Sequence, residues 1–294
     1  MDPALPRLTS ARVPLTRDVT VVGADGEKRR IALAAERALA LYVDNQELVT
    51  LMTLGQEPEL LALGYLLNQG LVERAEEVDS ITVDWEVAAA AVRTRHGVSR
   101  LQERIARRTV TTGCGQGTVF GDWLERVPPL PEARSAPGSV EHEAIVQILD
   151  AMRRHPSIHR DAGSVHGTAL WRAGGALEQV ERAGGALEQV ERAGSALVHV
   201  EDVGRHNAVD TIAGWMAMQR VDGASCWLYT TGRLTSEMVL KAAWLRVPVV
   251  VSRNGATAMG QELAEQLNLT LIGRASGRRY LCYSGAERLR HAAG

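Results

Sequence analysis

The 294-residue sequence predicts an α/β fold, α+β overall, with a smaller β-rich N-terminal domain preceding an alternating C-terminal domain. Apolar residues make up 45% of the chain, the ordinary share for a globular protein with a sizeable core. Strand signals dominate residues 1–126, whereas strands and helices alternate through residues 139–294. Between these parts, residues 127–138 are proline-rich and lack periodicity, so we place an interdomain linker there.

Turn residues separate the elements predicted in the N-terminal domain. Asp25–Gly26 and Asp44–Asn45 are hairpin dipeptides, and Pro58 suits the first position of a helix that ends near Gln69. The strands predicted around them are 18–23, 28–33, 38–43, 48–53, 81–85 and 87–93.

The C-terminal domain alternates between apolar strand runs and amphipathic helices. Helices are predicted at 139–154, 207–221, 236–246 and 256–267. Strands are predicted at 164–171, 196–200, 226–230, 247–251, 269–272 and 280–283. Such alternation predicts parallel strands joined by right-handed crossovers, with ligands bound where the strands end.

Composition excludes several functional classes. Lys plus Arg number 33 and Asp plus Glu 35, and a net charge of −2 argues against a general binder of nucleic acid or anionic membranes. The sequence shows no signal-peptide pattern and no apolar run of roughly 20 residues, so we expect a cytoplasmic protein. Three widely spaced cysteines do not suit a disulfide framework or a four-cysteine zinc site, and we expect no tightly bound metal.

A decapeptide repeats between two predicted strands. Residues 172–181 read RAGGALEQVE, residues 182–191 are identical, and residues 192–201 match at seven of ten positions. Known repeat architectures have longer periods of roughly 20–50 residues. We therefore interpret residues 172–191 as a tandem duplication that enlarges a hairpin tip and has little functional effect.

Cys114 lies in a glycine-rich loop, Thr111–Gly117. Glycines on both sides admit a close approach to the thiol and leave backbone N–H groups able to stabilise a thiolate. The alternative is a small residue that merely fills a turn. Cys226 and Cys282 lie inside apolar strands and are expected to be core residues.

Polar clusters follow several predicted strands. In Glu201–Asn207, Arg205 suits phosphate binding and His206 suits anion binding or proton transfer, although the run also resembles a capped helix start. Thr231, Gly232 and Arg233 likewise follow a strand and precede a helix, which suits phosphate binding. A third turn of this kind is 252–257.

A basic turn separates the last two predicted strands. Its candidate binding residues are Arg274, Ala275, Ser276, Gly277, Arg278 and Arg279. Three arginines on a small loop can clamp a phosphate or pyrophosphate, and the alternative is a solvated hairpin.

Together these segments resemble the FdhD family of formate dehydrogenase accessory sulfurtransferases. The resemblance spans about residues 36–284 and rests on five segments in family order: Ala62–Leu67, Thr112–Gly115, Glu201–Ala208, Thr231–Met238 and Ala256–Ala258.

The resemblance implies a function in cofactor maturation. A cysteine desulfurase would load Cys114 as a persulfide. The sulfur would then pass to the molybdenum bis(molybdopterin guanine dinucleotide) cofactor before that cofactor enters formate dehydrogenase. The resemblance also implies a cytidine-deaminase-like C-terminal domain, a cytoplasmic homodimer, and binding of the anionic cofactor by Arg274–Arg279 together with the Arg205–His206 and Thr231–Arg233 turns.

Two positions depart from the family pattern. Gly117 stands where many members carry a second cysteine, so sulfur transfer must use one thiol. Arg278 stands where glycine is common and adds charge to the proposed clamp. The alternatives are a non-catalytic cofactor chaperone and a nucleotide-processing enzyme. Deaminase activity is not expected, because the zinc-binding deaminase motifs are absent from the sequence.

Overall fold

The computed structural model describes residues 4–98, 140–172 and 196–290. Its helices are α1 (Pro58–Asn68), α2 (His142–Arg154), α3 (Ile158–Ala162), α4 (Arg205–Gln219), α5 (Ser236–Trp244) and α6 (Ala258–Gln266). Its strands are β1 (Arg7–Leu8), β2 (Thr16–Val22), β3 (Lys28–Ala34), β4 (Arg37–Val43), β5 (Gln46–Thr53), β6 (Val78–Asp84), β7 (Ala89–Thr94), β8 (Val140–Glu141), β9 (His166–Arg172), β10 (Val198–Asp202), β11 (Cys226–Thr230), β12 (Val249–Ser252), β13 (Thr270–Ser276), β14 (Arg279–Ser284) and β15 (Leu289–Arg290). These elements confirm the predicted α/β class.

The described residues form two compact units that interleave along the chain. The first contains residues 4–98, 156–167 and 200–219, and the second contains the remainder. The sequence reading had assigned residues 156–167 and 200–219 to the C-terminal domain. The linker predicted at 127–138 lies outside the described residues.

The first unit is built on a five-stranded sheet with the order β1-β6-β7-β4-β5. The β4–β5 hairpin turns through Asp44 and Asn45, whose φ values are 46° and 67°. Aspartate and asparagine tolerate this left-handed conformation, which the two-residue hairpin turn requires. The sequence prediction of this turn is therefore confirmed. β2 and β3 form a separate antiparallel ribbon.

Helices α1 and α4 cross with almost no side-chain space between them. A Cβ placed on Gly64 would lie 2.6 Å from the carbonyl carbon of Asp210 and 2.6 Å from the backbone nitrogen of Gly214. A Cβ placed on Gly214 would lie 2.8 Å from the carbonyl carbon of Leu60. This close backbone contact explains why residues 200–219 belong to the first unit.

The second unit contains most of a six-stranded sheet with the order β10-β9-β11-β12-β13-β14. β11, β12 and β13 run parallel, as predicted, whereas β9 and β14 pair antiparallel to their neighbours β11 and β13. α2 packs on one face, where the core includes Trp171, Trp227, Tyr229 and Val251. α6 packs against β13 and β14 and also contacts α5.

Most predicted elements are confirmed to within a few residues, but the two-residue strands β1, β8 and β15 were not predicted, and neither was α3. Its five residues are too few for a periodic pattern, and capping groups define it instead. Ser157 Oγ accepts a hydrogen bond from the Arg160 backbone N–H at 3.2 Å. Within the described ranges, no helix is long and apolar enough to span a bilayer.

Candidate functional site

The carboxyl ends of three parallel strands meet at one edge of the six-stranded sheet. β11 pairs with β12, and β12 pairs with β13. Their registers place Thr230 beside Ser252 and Val251 beside Ile272. The chain therefore leaves these strands side by side, at the position where open α/β sheets bind ligands.

Hydrogen bonds join the turns after β11 and β12 to each other and to the last part of β13. Ser252 Oγ donates to the Gly232 carbonyl at 2.6 Å, and Asn254 Nδ2 donates to the Thr231 carbonyl at 2.7 Å. The Arg274 backbone N–H donates to the Asn254 carbonyl at 2.9 Å. The two turns and the last part of β13, which contains Arg274, consequently form one continuous polar surface. We name residues 231–233, 253–255 and 274 the strand-end surface.

The strand-end surface carries three exposed arginines, Arg233 and Arg253 in the turns and Arg274 near the end of β13. Burial raises the pKa of the Tyr229 hydroxyl, and a hydrogen bond from Arg253 offsets part of that rise. Among the residues that the structure describes, no carboxylate forms an ion pair with these three arginines. Guanidinium groups without neutralising carboxylates attract phosphate and similar anions.

The backbone of the Arg274–Arg279 hairpin brings Arg274 to this surface. Arg274 has a left-handed φ of 50° at an irregularity in the β13–β14 register. Irregularities of this kind redirect a side chain relative to the regular strand and are common beside functional sites. Gly277 turns the hairpin with a φ of 56°, which glycine adopts without steric cost.

The other residues of the hairpin differ in environment. Ala275 is fully buried in the core, whereas Ser276 and Arg279 are exposed. Arg278 forms a bidentate ion pair with Glu143 at the start of α2. This arginine holds the pKa of the Glu143 carboxyl below its usual range. The extra charge predicted for the clamp at Arg278 is thus balanced within the same unit.

In the first unit, Glu201 stabilises the start of α3. Its carboxylate accepts hydrogen bonds from the backbone N–H groups of Ile158 at 2.6 Å and His159 at 3.2 Å. The Glu201 N–H donates to the Gln56 side chain at 2.9 Å. Glu201 therefore joins the β5–α1 turn to α3.

Asp202 joins the end of β5 to the turn that precedes α4 and to the Asn207 side chain in its first turn. It is 3% exposed and accepts hydrogen bonds from the Thr53 hydroxyl, the Leu54 N–H at 3.1 Å, the Gly204 N–H at 2.9 Å and Asn207 Nδ2 at 3.0 Å. Burial raises the pKa of the Asp202 carboxyl, and these bonds oppose the rise. The contacts of Asp202 favour the capped-helix alternative for this part of the motif.

Arg205 and His206 lie in the first turn of α4 and are 8% and 4% exposed. Both residues belong to the first unit, whereas Thr231, Gly232 and Arg233 belong to the second. Assignment of Arg205 and His206 to a cofactor site stays a prediction.

The sequence predicts the 252–257 turn as a third polar turn, but it does not single out Arg253 and Asn254, which the structure places in the middle of the strand-end surface. The signal that would have found them is an arginine at or near the carboxyl end of each parallel strand. Arg233 and Arg253 follow β11 and β12, and Arg274 lies near the end of β13.

Of the three cysteines, Cys114 and its loop lie outside the described residues. Cys226 is fully buried, and Cys282 is half-buried with its Sγ donating to the Ser284 carbonyl at 3.1 Å. Burial raises the pKa of both thiols. Because the thiolate is the nucleophile, neither thiol suits sulfur transfer. The described ranges contain no cluster of three or more histidine, cysteine or acidic side chains placed to hold a metal ion.

Comparison with known proteins assigns the family. The model of the FdhD/NarQ family matches residues 34–184 and 185–290. The chain belongs to the FdhD/NarQ family. The sulfur carrier protein FdhD of Wolinella succinogenes is 26% identical over 263 residues, covering 90% of this chain and 84% of the relative. The protein of the same name from Xanthomonas euvesicatoria pv. vesicatoria is 29% identical over 260 residues, covering 87% and 85%.

A solved structure also resembles this FdhD/NarQ member. It is a formate dehydrogenase accessory protein from Desulfotalea psychrophila, with a TM-score of 0.69 and 25% sequence identity. The match covers 94% of this chain and all of that chain. The family resemblance and the mixed α/β class predicted from sequence are therefore confirmed.

Proposed function

We propose that this FdhD/NarQ protein is a sulfur carrier required for formate dehydrogenase activity. It takes sulfur from a cysteine desulfurase as a Cys114 persulfide. It then passes the sulfur to the molybdenum bis(molybdopterin guanine dinucleotide) cofactor before that cofactor is inserted. The observation that carries the proposal is the family match across residues 34–290, with relatives named sulfur carrier proteins.

Cys114 is the thiol best suited to carry the sulfur. Glycines precede and follow Cys114 in the sequence, which suits the approach of large reaction partners, and the raised pKa values of Cys226 and Cys282 disfavour those thiols. The Cys114 thiolate attacks the outer sulfur of the donor persulfide. The donor S–S bond breaks, a new S–S bond forms on Cys114, and the donor leaves as a thiolate.

The second transfer restores Cys114. The electron pair of the Cys114 S–S bond stays on Cys114 as it becomes a thiolate again, and the cofactor supplies the electron pair that binds the outer sulfur. One thiol completes this cycle without a resolving cysteine, which agrees with glycine at position 117. The transferred atom is the outer sulfur, which is reduced by the two electrons that the cofactor supplies in its reduced state, so the step needs no external oxidant.

The strand-end surface supports binding of the anionic cofactor. The pyrophosphate groups of the cofactor would face Arg233 and Arg274, with the Thr231–Gly232 backbone beside them and Arg253 as an additional cation. We retain Arg278 and Arg279, and Arg205 and His206 in the first unit, as further proposed contacts. The homodimer and the cytoplasmic location implied by the resemblance stay predictions.

Replacement of Cys114 tests the sulfur-carrier proposal. After incubation with a desulfurase and cysteine, wild-type protein should gain the mass of one sulfur atom on the peptide that contains Cys114. Cys114→Ala should lose this adduct and should fail to support formate dehydrogenase activity in cells. Cys282→Ala, a matched change at a half-buried thiol, should keep both properties.

The alternative is a non-catalytic cofactor chaperone. Glycine at position 117, where many family members have a second cysteine, favours it. Full formate dehydrogenase activity with Cys114→Ala would establish the chaperone function and exclude the persulfide.

A further inference from the structure

The geometry points to a phosphoryl-oxygen notch above Gly255, in which Tyr283 and Arg274 bind one oxygen of a pyrophosphate-containing ligand. This inference rests on the proposed binding of an anionic cofactor at the strand-end surface. It adds Tyr283, a residue of β14 that neither the motifs nor the family match singled out, and gives Gly255 a specific function.

The notch is the open side of Gly255, which two hydrogen-bond donors flank. A Cβ placed on Gly255 would lie 3.6 Å from Tyr283 Oη and 3.7 Å from Arg274 Nε, and no other described residue apart from its two chain neighbours comes within 4 Å. A ligand oxygen packs against the open side of Gly255, beyond the position that a Cβ would fill, and small rotations of the Tyr283 and Arg274 side chains bring both donors to the hydrogen-bond distance of about 2.7–3.2 Å. Gly255 leaves this space open because it has no side chain.

Packing positions Tyr283 with its hydroxyl at the notch. A Cβ placed on Gly273 would lie 2.8 Å from Cε2 of the Tyr283 ring and 2.6 Å from the Asn254 carbonyl oxygen. Gly273 therefore allows both the ring and the 253–255 turn to approach the end of β13. Within the described part of the chain, the Tyr283 hydroxyl makes no hydrogen bond.

Tyr280, on the same strand, is the natural contrast. Its hydroxyl lies 3.2 Å from His142 Nδ1, and its ring packs against the core below α2. The two tyrosines thus share a strand but differ in environment. The Tyr280 hydroxyl forms a hydrogen bond within the protein, whereas the Tyr283 hydroxyl is available to a ligand.

The donors at the notch select the ligand chemistry. The Arg274 guanidinium only donates hydrogen bonds and carries a positive charge, and the phenol hydroxyl of Tyr283 donates beside it. An oxygen that accepts two hydrogen bonds and carries negative charge fits this pair, as a phosphoryl oxygen does. A cationic ligand or an amide N–H does not fit.

Binding of inorganic pyrophosphate to the full chain tests the notch. Titration calorimetry at low ionic strength suits this probe, because salt screens exposed charges. Tyr283→Phe should weaken binding about tenfold, which corresponds to about 1.4 kcal/mol and to the loss of one hydrogen bond to a charged group. Gly255→Ala should weaken binding at least as much, because its methyl group occupies the notch at ordinary contact distances.

Two matched controls should bind pyrophosphate within about twofold of wild type. Tyr280→Phe removes a hydroxyl from the other tyrosine of β14. Arg246→Ala removes an exposed arginine just after α5, at the helix end remote from the strand-end surface. Thermal unfolding should confirm that every variant folds.

Each outcome separates the notch from the broader proposal. Wild-type affinity in Tyr283→Phe, with weaker binding in Arg233→Ala, would overturn the notch and leave the strand-end surface intact. Failure of wild-type protein to bind pyrophosphate would overturn both the notch and the anion site. Failure of wild-type Cys114 to accept sulfur would instead overturn the sulfur-carrier proposal without affecting the binding result.

Discussion

Gly214→Ala is a direct test of the close contact between α1 and α4. In an open helix this substitution stabilises a protein by about 0.5–1 kcal/mol, because alanine has the higher helix propensity. At this position the new methyl group meets the Leu60 carbonyl group, with its carbon at 2.8 Å. The structure therefore predicts that Gly214→Ala lowers the free energy of unfolding instead of raising it.

The expected magnitude follows from this distance. Carbon atoms pack best at about 3.5–4.0 Å, so the helices must separate locally by roughly 1 Å. Leu61, Ala62 and Leu63 on α1 are fully or almost fully buried, and separation would loosen their contacts. Overpacking of this kind costs about 1–3 kcal/mol, and more where backbone must move. After subtraction of the propensity gain, we expect a net loss of about 2 kcal/mol in the free energy of unfolding.

Urea denaturation followed by circular dichroism measures this loss. Gly255→Ala is a suitable control, since its methyl group would lie no closer than 3.6 Å to its nearest neighbour. The control should change the free energy of unfolding by less than about 0.5 kcal/mol. A Gly214→Ala protein as stable as wild type, or more stable, would refute the inferred contact between the two helices.

Four further measurements test other parts of the structure. Asp202→Asn should lower the free energy of unfolding in urea by about 3 kcal/mol. The NH2 group of asparagine would face a buried N–H group that now donates a hydrogen bond to the carboxylate, so that N–H would lose its acceptor. Arg233→Ala should leave thermal stability unchanged and weaken pyrophosphate binding in calorimetry, because this arginine is exposed and has no described carboxylate partner. Burial lowers the pKa of His199 from its ordinary value near 6.5 to about 4, so the unfolded state binds more protons between these values. Stability should accordingly rise by up to about 3 kcal/mol from pH 4 to pH 6.5, and His199→Gln should remove this slope in urea titrations at several pH values. Deletion of Arg172–Glu191 should preserve soluble yield and melting temperature, because the chain then resumes at Arg192 with the same RAG sequence.

Local signals predicted most of the secondary structure. Pro58 marks the first residue of α1, and Asp44–Asn45 marks the β4–β5 turn, because both effects depend on the backbone preferences of the residues themselves. The parallel order of β11, β12 and β13 also followed from the alternating pattern.

Contacts between distant residues were not predictable in this way. Gly64 and Gly214 are separated by 150 positions, and the local sequence around each glycine does not predict that the two helices cross there. The side-chain partners of Asp202 include Thr53, which is equally remote in sequence. The interleaved units follow from such long-range contacts, so the order of residues along the chain alone does not group residues 200–219 with the first unit.

Burial and charge balance distinguish two kinds of polar strand end in this protein. Asp202 is 3% exposed, and its carboxylate oxygens accept hydrogen bonds from four donors within the protein, so it stabilises the fold and is not available to a ligand. Arg233 and Arg274 are exposed and lack carboxylate partners among the described residues, so their charges remain available to a ligand. Sequence spacing alone does not distinguish these segments. Each is a polar run that follows a predicted strand and precedes either a helix or another strand. Substitution separates them: loss of Asp202 should reduce stability, whereas loss of Arg233 should reduce affinity for an anion and leave stability unchanged.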